Sequence, residues 1–417
     1  MEYGLIGSVL GHSFSKPIHE AVGGYTYELH PLPTEEEART FLESRNFKAI
    51  NVTIPYKQLV IPYCDTVDPL AEKIGAVNTV VNRGGKLYGY NTDYAGFSYL
   101  AAHHGIRFRG RTVLILGSGG THNTVSAVCA DSGAVNILTA SRSGKNGTLT
   151  YAQAAAHKEV DILINTTPVG MYPRNGDCAV DLDAFPRLKA VLDVVYNPFC
   201  TELVLCARER GIPAFGGLEM LVAQAVYASE HFTGKLLDEK VVIRKTFLDL
   251  QAQLANVSLI GMPGSGKTTI GRGLAKALGK QFVDLDEVIE QKAGCTIPDI
   301  FARDGEAAFR AIEAQAAAEV GRGSGQVIAC GGGIIKTPGN VHALRQNGPV
   351  LWVQRPVNRL ATAGRPLSKG QEALLEMEKE RFPLYERAAD LIVENTAAFD
   401  AAVQTALEKT KEYFEGK

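Results

Sequence analysis

Residues 261–268 read Gly261-Met262-Pro263-Gly264-Ser265-Gly266-Lys267-Thr268, the spacing G-x-x-x-x-G-K-[ST]. The chemistry this spacing serves is phosphate binding. Glycines let successive backbone N–H groups converge on one anion, and the helix that follows aims its positive end at the same point. Lys267 reaches β- and γ-phosphates, and the Thr268 hydroxyl ligates Mg²⁺. Gly264, Ser265, Gly266, Lys267, Thr268 and Thr269 are therefore the expected ATP-binding residues. A second glycine turn, Gly117-Ser118-Gly119-Gly120-Thr121, follows the apolar run 112–116. Strand, glycine turn and helix form the dinucleotide-binding order, although His122 stands where a third glycine is usual. The next apolar run ends in Ser141-Arg142-Ser143, with Lys145 close by. An NAD site wants Asp or Glu at that strand end for the ribose 2′-hydroxyl. Arg142 suits a 2′-phosphate instead, so the residues favour NADP(H).

Such loops need parallel strands to hold them. Short β-branched runs at 112–117, 161–167, 191–196, 257–261 and 350–354 alternate with helical stretches. Runs of this kind fit strands buried on both faces of a parallel sheet, so the fold class is α/β, more than once over. Only about 20 residues separate Arg142 from the run at 161, which is short for a full crossover helix and predicts a small dinucleotide domain. A helical stretch spans about Leu218 to Leu254, and a new strand starts at Val257, placing a joint near residue 250. The acids Asp284 and Asp286 end the run 282–286, where strand alternation puts both on one side.

The 417 residues are 45% hydrophobic and 21% charged, with a net charge of −2. That balance supplies no global basic field, so nucleic acid and anionic membranes are not expected partners. The seven cysteines form no CxxC pair or metal-spaced cluster, as expected of reduced thiols in a cytoplasmic protein. The N-terminus shows no signal-peptide pattern, and no apolar run approaches the ~20 residues that span a bilayer. A homo-oligomer is neither required nor excluded.

Further motifs follow the phosphate loop in order: Gly305–Arg310 opening a helix, Cys330-Gly331-Gly332-Gly333 after the run QVIAC, Gly364-Arg365-Pro366-Leu367, and Glu380–Tyr385. Across nearly all of 257–395 these residues resemble the shikimate kinase family, a P-loop, NMP-kinase-like parallel-sheet fold. The resemblance implies that Asp286 holds the substrate hydroxyls and helps take the proton from the attacking one. It implies that Asp284 supports Mg²⁺ through water beside Thr268. Arg310 and Arg381 would grip the substrate carboxylate, where planar forks suit a planar anion. Gly331, Gly332 and Gly333 would let backbone approach the ring, and Arg365, in a lid, would stabilise the transferring phosphoryl group.

The first part carries its own series: His12–Ser15, Asn51–Lys57, Ala76–Thr79, Asn91–Asp93, Asn165–Met171, Asp193–Pro198 and Gly217–Gln224. Over about 1–250 these residues are similar to the shikimate dehydrogenase family. The similarity implies an α/β substrate-binding domain at 1–93, completed by helices from about 218–250, and an NADP-binding Rossmann-like domain at 94–217. The kinase-like domain would fill 257–417. Ser13 and Ser15 would hold a carboxylate, while Thr53, Asn78, Tyr196 and Gln224 would contact the ring. Lys57 and Asp93 would be the catalytic pair. The NADP contacts would come from Gly117, Ser118, Gly119, Gly120, Thr121, Ser141, Arg142, Thr166 and Gly217. Lys16 adds a cation near the proposed carboxylate site.

Together the two resemblances imply one bifunctional enzyme. NADPH would reduce 3-dehydroshikimate to shikimate, and MgATP would then phosphorylate shikimate. The alternative is a kinase whose N-terminal part binds NADP or shikimate as a regulator without turnover. Quinate for the first site, or another polyol for the second, are alternative substrates.

Overall fold

The computed structural model describes residues 1–11, 13–360, 371–396 and 399–416. Arg365, expected to stabilise the phosphoryl group, lies outside the described residues, as does His12. The chain divides into two units. One is Met1–Asn197 with Leu203–Asp249, and the other is Pro198–Glu202 with Leu250–Lys417. Among the described residues no helix is long and apolar enough to cross a membrane.

The first unit begins with β1 (Tyr3–Gly7), α1 (Ser15–Gly23), β2 (Glu28–Pro31), α2 (Glu35–Ser44), β3 (Ala49–Val52), β4 (Thr66–Val67), α3 (Pro69–Ile74), β5 (Thr79–Arg83), β6 (Lys86–Tyr90) and α4 (Thr92–His103). The strand order is β2-β1-β3-β5-β6-β4, parallel through β3 and antiparallel across β3–β5–β6. Helix α2 starts at a Thr34–Glu37 capping box, which satisfies two otherwise orphaned backbone donors.

The same unit continues with β7 (Thr112–Leu116), α5 (Gly120–Asp131), β8 (Asn136–Ala140), α6 (Tyr151–Ala154), β9 (Ile162–Asn165), β10 (Ala190–Asp193), α7 (Glu202–Glu209), β11 (Ala214–Phe215) and α8 (Leu218–Thr233). Its all-parallel sheet runs β11-β10-β9-β7-β8. The order reverses between β7 and β9, and ligands of open α/β sheets bind at such a switch point. The crossover after β8 has shrunk to the four-residue α6, as the short spacing implied.

Helix α9 (Glu239–Leu254) is separate from α8, so the stretch expected as continuous is two helices. Gly234 breaks it with φ +69, a left-handed cap whose N–H returns to the Glu230 carbonyl. The second unit then contains β12 (Val257–Ile260), α10 (Lys267–Leu278), β13 (Gln281–Asp284), α11 (Leu285–Ala293), α12 (Ile297–Gly321), β14 (Gln326–Ala329), α13 (Pro338–Arg345), β15 (Val350–Gln354), α14 (Gln371–Ala388), β16 (Leu391–Glu394) and α15 (Phe399–Glu415). Its parallel order is β13-β14-β12-β15-β16. The central strands β12 and β15 bury Val257, Leu259, Leu351 and Val353 on one face, against α10 and α15, and Ile260, Val350 and Trp352 on the other. The phosphate loop after β12 and the glycine triplet after β14 therefore leave the carboxyl ends of adjacent strands.

Candidate active sites

In the first unit, Ser13 and Ser15 meet at the start of α1. The Ser13 hydroxyl donates to Ser15 Oγ at 3.1 Å and accepts the Ser15 N–H at 3.2 Å. Two hydroxyls at a helix N-terminus, with its unpaired N–H groups, suit a carboxylate. Tyr196 comes to this turn from β10's end, its ring centroid 5.5 Å from that of Phe14, and burial raises its phenol above the ordinary range. Lys16 does not face the turn: its ammonium donates to Glu20 at 2.6 Å and to the Tyr27 carbonyl at 2.7 Å. The expected extra cation is therefore already neutralised.

A buried polar ladder crosses the sheet. The Tyr27 hydroxyl donates to Asn51 Oδ1 at 2.7 Å, and Asn51 Nδ2 donates to the Asn78 carbonyl at 3.2 Å. Asn78 donates to Thr92 Oγ1 at 3.1 Å and accepts the Thr92 N–H at 2.8 Å. Thr92 in turn lies 3.4 Å from Gln224 Oε1. Thr92 thus ties Asn78 on one side to Gln224 on α8, a coupling role that residue type alone did not single out. Thr53 follows β3, with its methyl packed over Gly7 so tightly that a Cβ there would sit 2.5 Å away. Lys57 Nζ donates to Asp93 Oδ2 at 2.5 Å, both side chains being mostly buried. Asp93 stands in the first turn of α4, where the helix dipole favours a carboxylate. A mostly buried ammonium held by a carboxylate can stabilise a developing alkoxide and deliver its proton.

At the switch point, Gly117 has φ +105, and a Cβ there would lie 2.7 Å from Thr166 Oγ1. The Thr166 hydroxyl donates to the Leu116 carbonyl at 2.7 Å, locking β9's end to β7's. Gly119 caps α5 without a side-chain bond, and added Cβ atoms at Gly119 and Gly120 would meet nothing within 4 Å. The helix N–H groups are thus accessible to a phosphate, with Ser118 and Thr121 in the same turn. His122 turns to β8, where Nε2 pairs with Thr139 Oγ1 at 2.8 Å. The missing third glycine therefore costs the loop nothing at its phosphate-facing end. Ser141 is engaged by its own loop, pairing with Thr148 Oγ1 at 2.7 Å and accepting the Gly144 N–H at 3.1 Å. Arg142 beside it is exposed. Gly217 is required by backbone: a Cβ would lie 2.2 Å from the Val194 carbonyl oxygen.

In the second unit, Gly261, Gly264 and Gly266 take φ values of +145, +83 and +96, so the loop's glycines are a steric need. Lys267 Nζ donates to the Gly261 and Met262 carbonyls at 2.9 and 3.0 Å. Buried Asn395, which the motif search missed, donates to the Ser265 carbonyl at 2.7 Å and packs on Gly266. Thr269 is exposed behind Thr268 at the start of α10. Thr268 Oγ1 donates to Asp284 Oδ2 at 3.1 Å, joining a hydroxyl and a carboxylate as a hard cation requires. Asp284 and Asp286 are not a strand pair. Asp284 caps α11, accepting the Asp286 N–H at 3.1 Å, and Asp286 lies in the first helical turn. The chain becomes helical at Leu285, so alternation stops before it can act.

The glycine triplet is the floor of this site. A Cβ on Gly331 would lie 2.8 Å from Asp286 Oδ1, and one on Gly332 2.8 Å from the Pro263 ring. A Cβ on Gly333 would lie 2.5 Å from both terminal nitrogens of Arg310. Arg381 Nη1 and the Tyr385 hydroxyl both donate to the Gly332 carbonyl, at 2.9 and 2.6 Å. Arg310 donates to Glu313 at 2.7 Å and to Glu306 at 3.1 Å. Burial works against its charge, but the two carboxylates override it and hold the guanidinium more firmly protonated. Glu313, fully buried, is raised by that burial despite Arg310. Its role in aiming Arg310 had no motif to announce it. Gly305, with φ +81, breaks α12 so that a fresh helical start precedes Glu306 and Arg310. Burial pushes the Cys330 thiol well up, which makes it a packing residue rather than a nucleophile.

Residues 5–80 match the model of the shikimate dehydrogenase substrate binding domain. The shikimate dehydrogenase (NADP(+)) of Clostridium beijerinckii is 37% identical over 256 residues, covering 57% of this chain and 94% of its own length. The chain belongs to the shikimate dehydrogenase family. The Halothermothrix orenii member is 38% identical over 260 residues, covering 55% of this chain and 90% of its own. Among solved structures, a chorismate mutase/shikimate 5-dehydrogenase fusion from Clostridium acetobutylicum superposes with a TM-score of 0.56 at 33% identity, covering 60% of this chain and 96% of that one. The Thermus thermophilus shikimate 5-dehydrogenase, solved in complex with NADP(H) and shikimate, gives 0.53 at 28% identity, covering 59% and 99%. Residues 263–411 match the shikimate kinase model, so a kinase domain stands behind the shikimate dehydrogenase part. The expected carboxylate hydroxyls, ring contacts and Lys–Asp pair fall in one unit. Asp286, Arg310, Arg381 and Gly331–Gly333, the residues expected to serve a kinase, converge in the other.

Proposed function

We propose that the chain catalyses two consecutive reactions: NADPH-dependent reduction of 3-dehydroshikimate to shikimate, then MgATP-dependent phosphorylation of shikimate at its 3-hydroxyl. Residues 1–93 with about 218–250 bind the first substrate, 94–217 bind NADP and 257–417 form the kinase. The observation that carries this reading is one chain holding both the Lys57–Asp93 pair and the Asp286–Arg310–Arg381 cluster. Both sites are of families built around shikimate.

When bound, NADPH would supply hydride for the ketone carbon of a substrate held in the first site. Ser13 and Ser15 anchor the carboxylate, while Asn78, Thr92 and Gln224 fix the ring through their shared network. Lys57 meets the charge growing on oxygen and protonates it, and Asp93 keeps Lys57 aimed. Arg142 would select the 2′-phosphate of NADPH. In the second site Arg310 and Arg381 orient the shikimate carboxylate, and Asp286 accepts the proton of the attacking hydroxyl. Lys267 stabilises the phosphoryl oxygens, with Arg365 as its proposed partner. Thr268 and Asp284 would hold Mg²⁺, which offsets phosphate charge.

A coupled assay with 3-dehydroshikimate, NADPH and MgATP tests this, using Lys57→Ala and Lys267→Ala separately. Each change should abolish its own step and spare the other when that step's substrate is supplied. Loss of both steps from either change defeats the two-site reading. A regulatory N-terminal part without turnover is disfavoured by the intact Lys57–Asp93 pair, which binding alone does not need. Supplying quinate and NADP⁺ in the same assay decides the alternative first substrate.

A further inference from the structure

Away from both proposed sites, the end of α4 and the start of α8 bring together His103, His104 and Glu219. Glu219 is buried, its side chain only 4% exposed, yet its two oxygens meet two different imidazoles. His103 Nδ1 pairs with one oxygen, and His104 Nε2 lies 2.7 Å from the other. Adjacent residues in a helix end point in different directions. Here they use opposite ring nitrogens to converge on one carboxylate. One donor atom from each residue lies within 4.8 Å of the others.

The rings are held in place. Phe215 stacks on His104 with centroids 3.7 Å apart and planes at 17°. Tyr99 packs against His103 at 5.7 Å. A buried carboxylate needs compensating positive charge. Two imidazoles supply it either by protonation or by sharing a cation with it. We propose that His103 Nδ1, His104 Nε2 and Glu219 form a binding site for a borderline divalent cation of the Zn²⁺ class. Two nitrogen donors and one carboxylate suit that class and do not suit Mg²⁺ or Ca²⁺. Metal–ligand bonds of about 2.1 Å set tetrahedral donors about 3.4 Å apart, a separation inside the 4.8 Å within which the three donor atoms already lie. His103, 39% exposed, leaves the cation an entry path and a water ligand.

The cation joins two helices that are already in tight contact. A Cβ on Gly96 of α4 would lie 2.8 Å from the Met220 carbonyl and 2.9 Å from Gln224 Cβ on α8. The clamp therefore stiffens the pair that carries Asp93 and Gln224.

Cobalt uptake by the full-length protein tests the site independently of turnover. Metal-free protein titrated with Co²⁺ should develop a visible absorption band at one ion per chain, removed by added Zn²⁺. The band should be absent in His103→Ala/His104→Ala, and Zn²⁺ should raise the melting temperature of the parent protein but not of that variant. Equal cobalt uptake by parent and variant overturns the site. Should the double variant misfold, Glu219→Gln keeps the shape and hydrogen-bonding reach while removing the anionic ligand. At least tenfold weaker cobalt binding is then expected, and unchanged binding overturns the proposal.

Discussion

Lys57 Nζ donates to Asp93 Oδ2 at 2.5 Å across thirty-six residues of chain. Lys57 leaves the turn after β3, whereas Asp93 opens α4 beyond the β5–β6 hairpin. The pair exists because the antiparallel return of β5 on β3 brings the two ends together. The Lys57 carbonyl accepts the Val77 N–H at 2.8 Å, so backbone pairing as well as charge fixes the separation.

Removing the Lys57 ammonium tests its role as the proton donor. Lys57→Ala should lower kcat for 3-dehydroshikimate reduction by about 10²–10⁴-fold, the usual worth of a positioned acid. Phosphorylation of supplied shikimate should be unchanged. Steady-state NADPH oxidation checks this, and a change confined to KM would show that Lys57 only binds.

The glycine triplet offers a sharper test, because it depends on a distance and not on a charge. Gly333→Ala places a methyl 2.5 Å from both Arg310 terminal nitrogens, and the arginine has to move. Losing one charged hydrogen bond costs about 1.5–3 kcal/mol, so KM for shikimate should rise roughly 10- to 150-fold. KM for ATP and the NADPH-dependent reaction should hold. A rise in KM for ATP instead would place the triplet against the nucleotide.

Much of this was legible in residue order. The two glycine loops, their strands and the reduced crossover after β8 follow from spacing and β-branched runs. What was not legible was the tertiary placement of single polar residues. Asn395 behind the phosphate loop and Glu313 behind Arg310 are single polar residues with no pattern around them, and Thr92, though inside the Asn91–Asp93 motif, links Asn78 to Gln224 in a way the motif does not announce. Two local errors have local causes. Gly234 splits the long helix through a left-handed cap, and Asp284 ends its strand by capping α11. Lys16 shows that a cation near a site in sequence can be neutralised by its own helix, here through Glu20 one turn later.

Cofactor choice rests on Arg142, which stands exposed beside the Ser141–Thr148 loop. Arg142→Ala should raise KM for NADPH about 10-fold or more and leave KM for NADH nearly unchanged, since only the former carries a 2′-phosphate. Parallel titrations of both cofactors measure the ratio. Equal losses with both would assign Arg142 to the shared pyrophosphate.

His19 makes the dehydrogenase unit sensitive to acid. It is fully buried, stacked on Tyr27 at 4.2 Å and paired through Nδ1 with the Tyr25 hydroxyl at 2.8 Å. Burial lowers it from 6.5 to about 3. The folded state therefore keeps His19 neutral while the unfolded chain binds a proton below about pH 6.5. Stability is whole above that pH and falls as the pH drops towards 3. Between pH 7.5 and 5.5 the loss from this group is about 1.4 kcal/mol. His19→Phe keeps the stacking and removes the titration. Urea denaturation followed by circular dichroism should show the parent losing about 1.4 kcal/mol more than the variant over that interval. Identical pH dependence in the two proteins would mean that His19 gains its proton without unfolding.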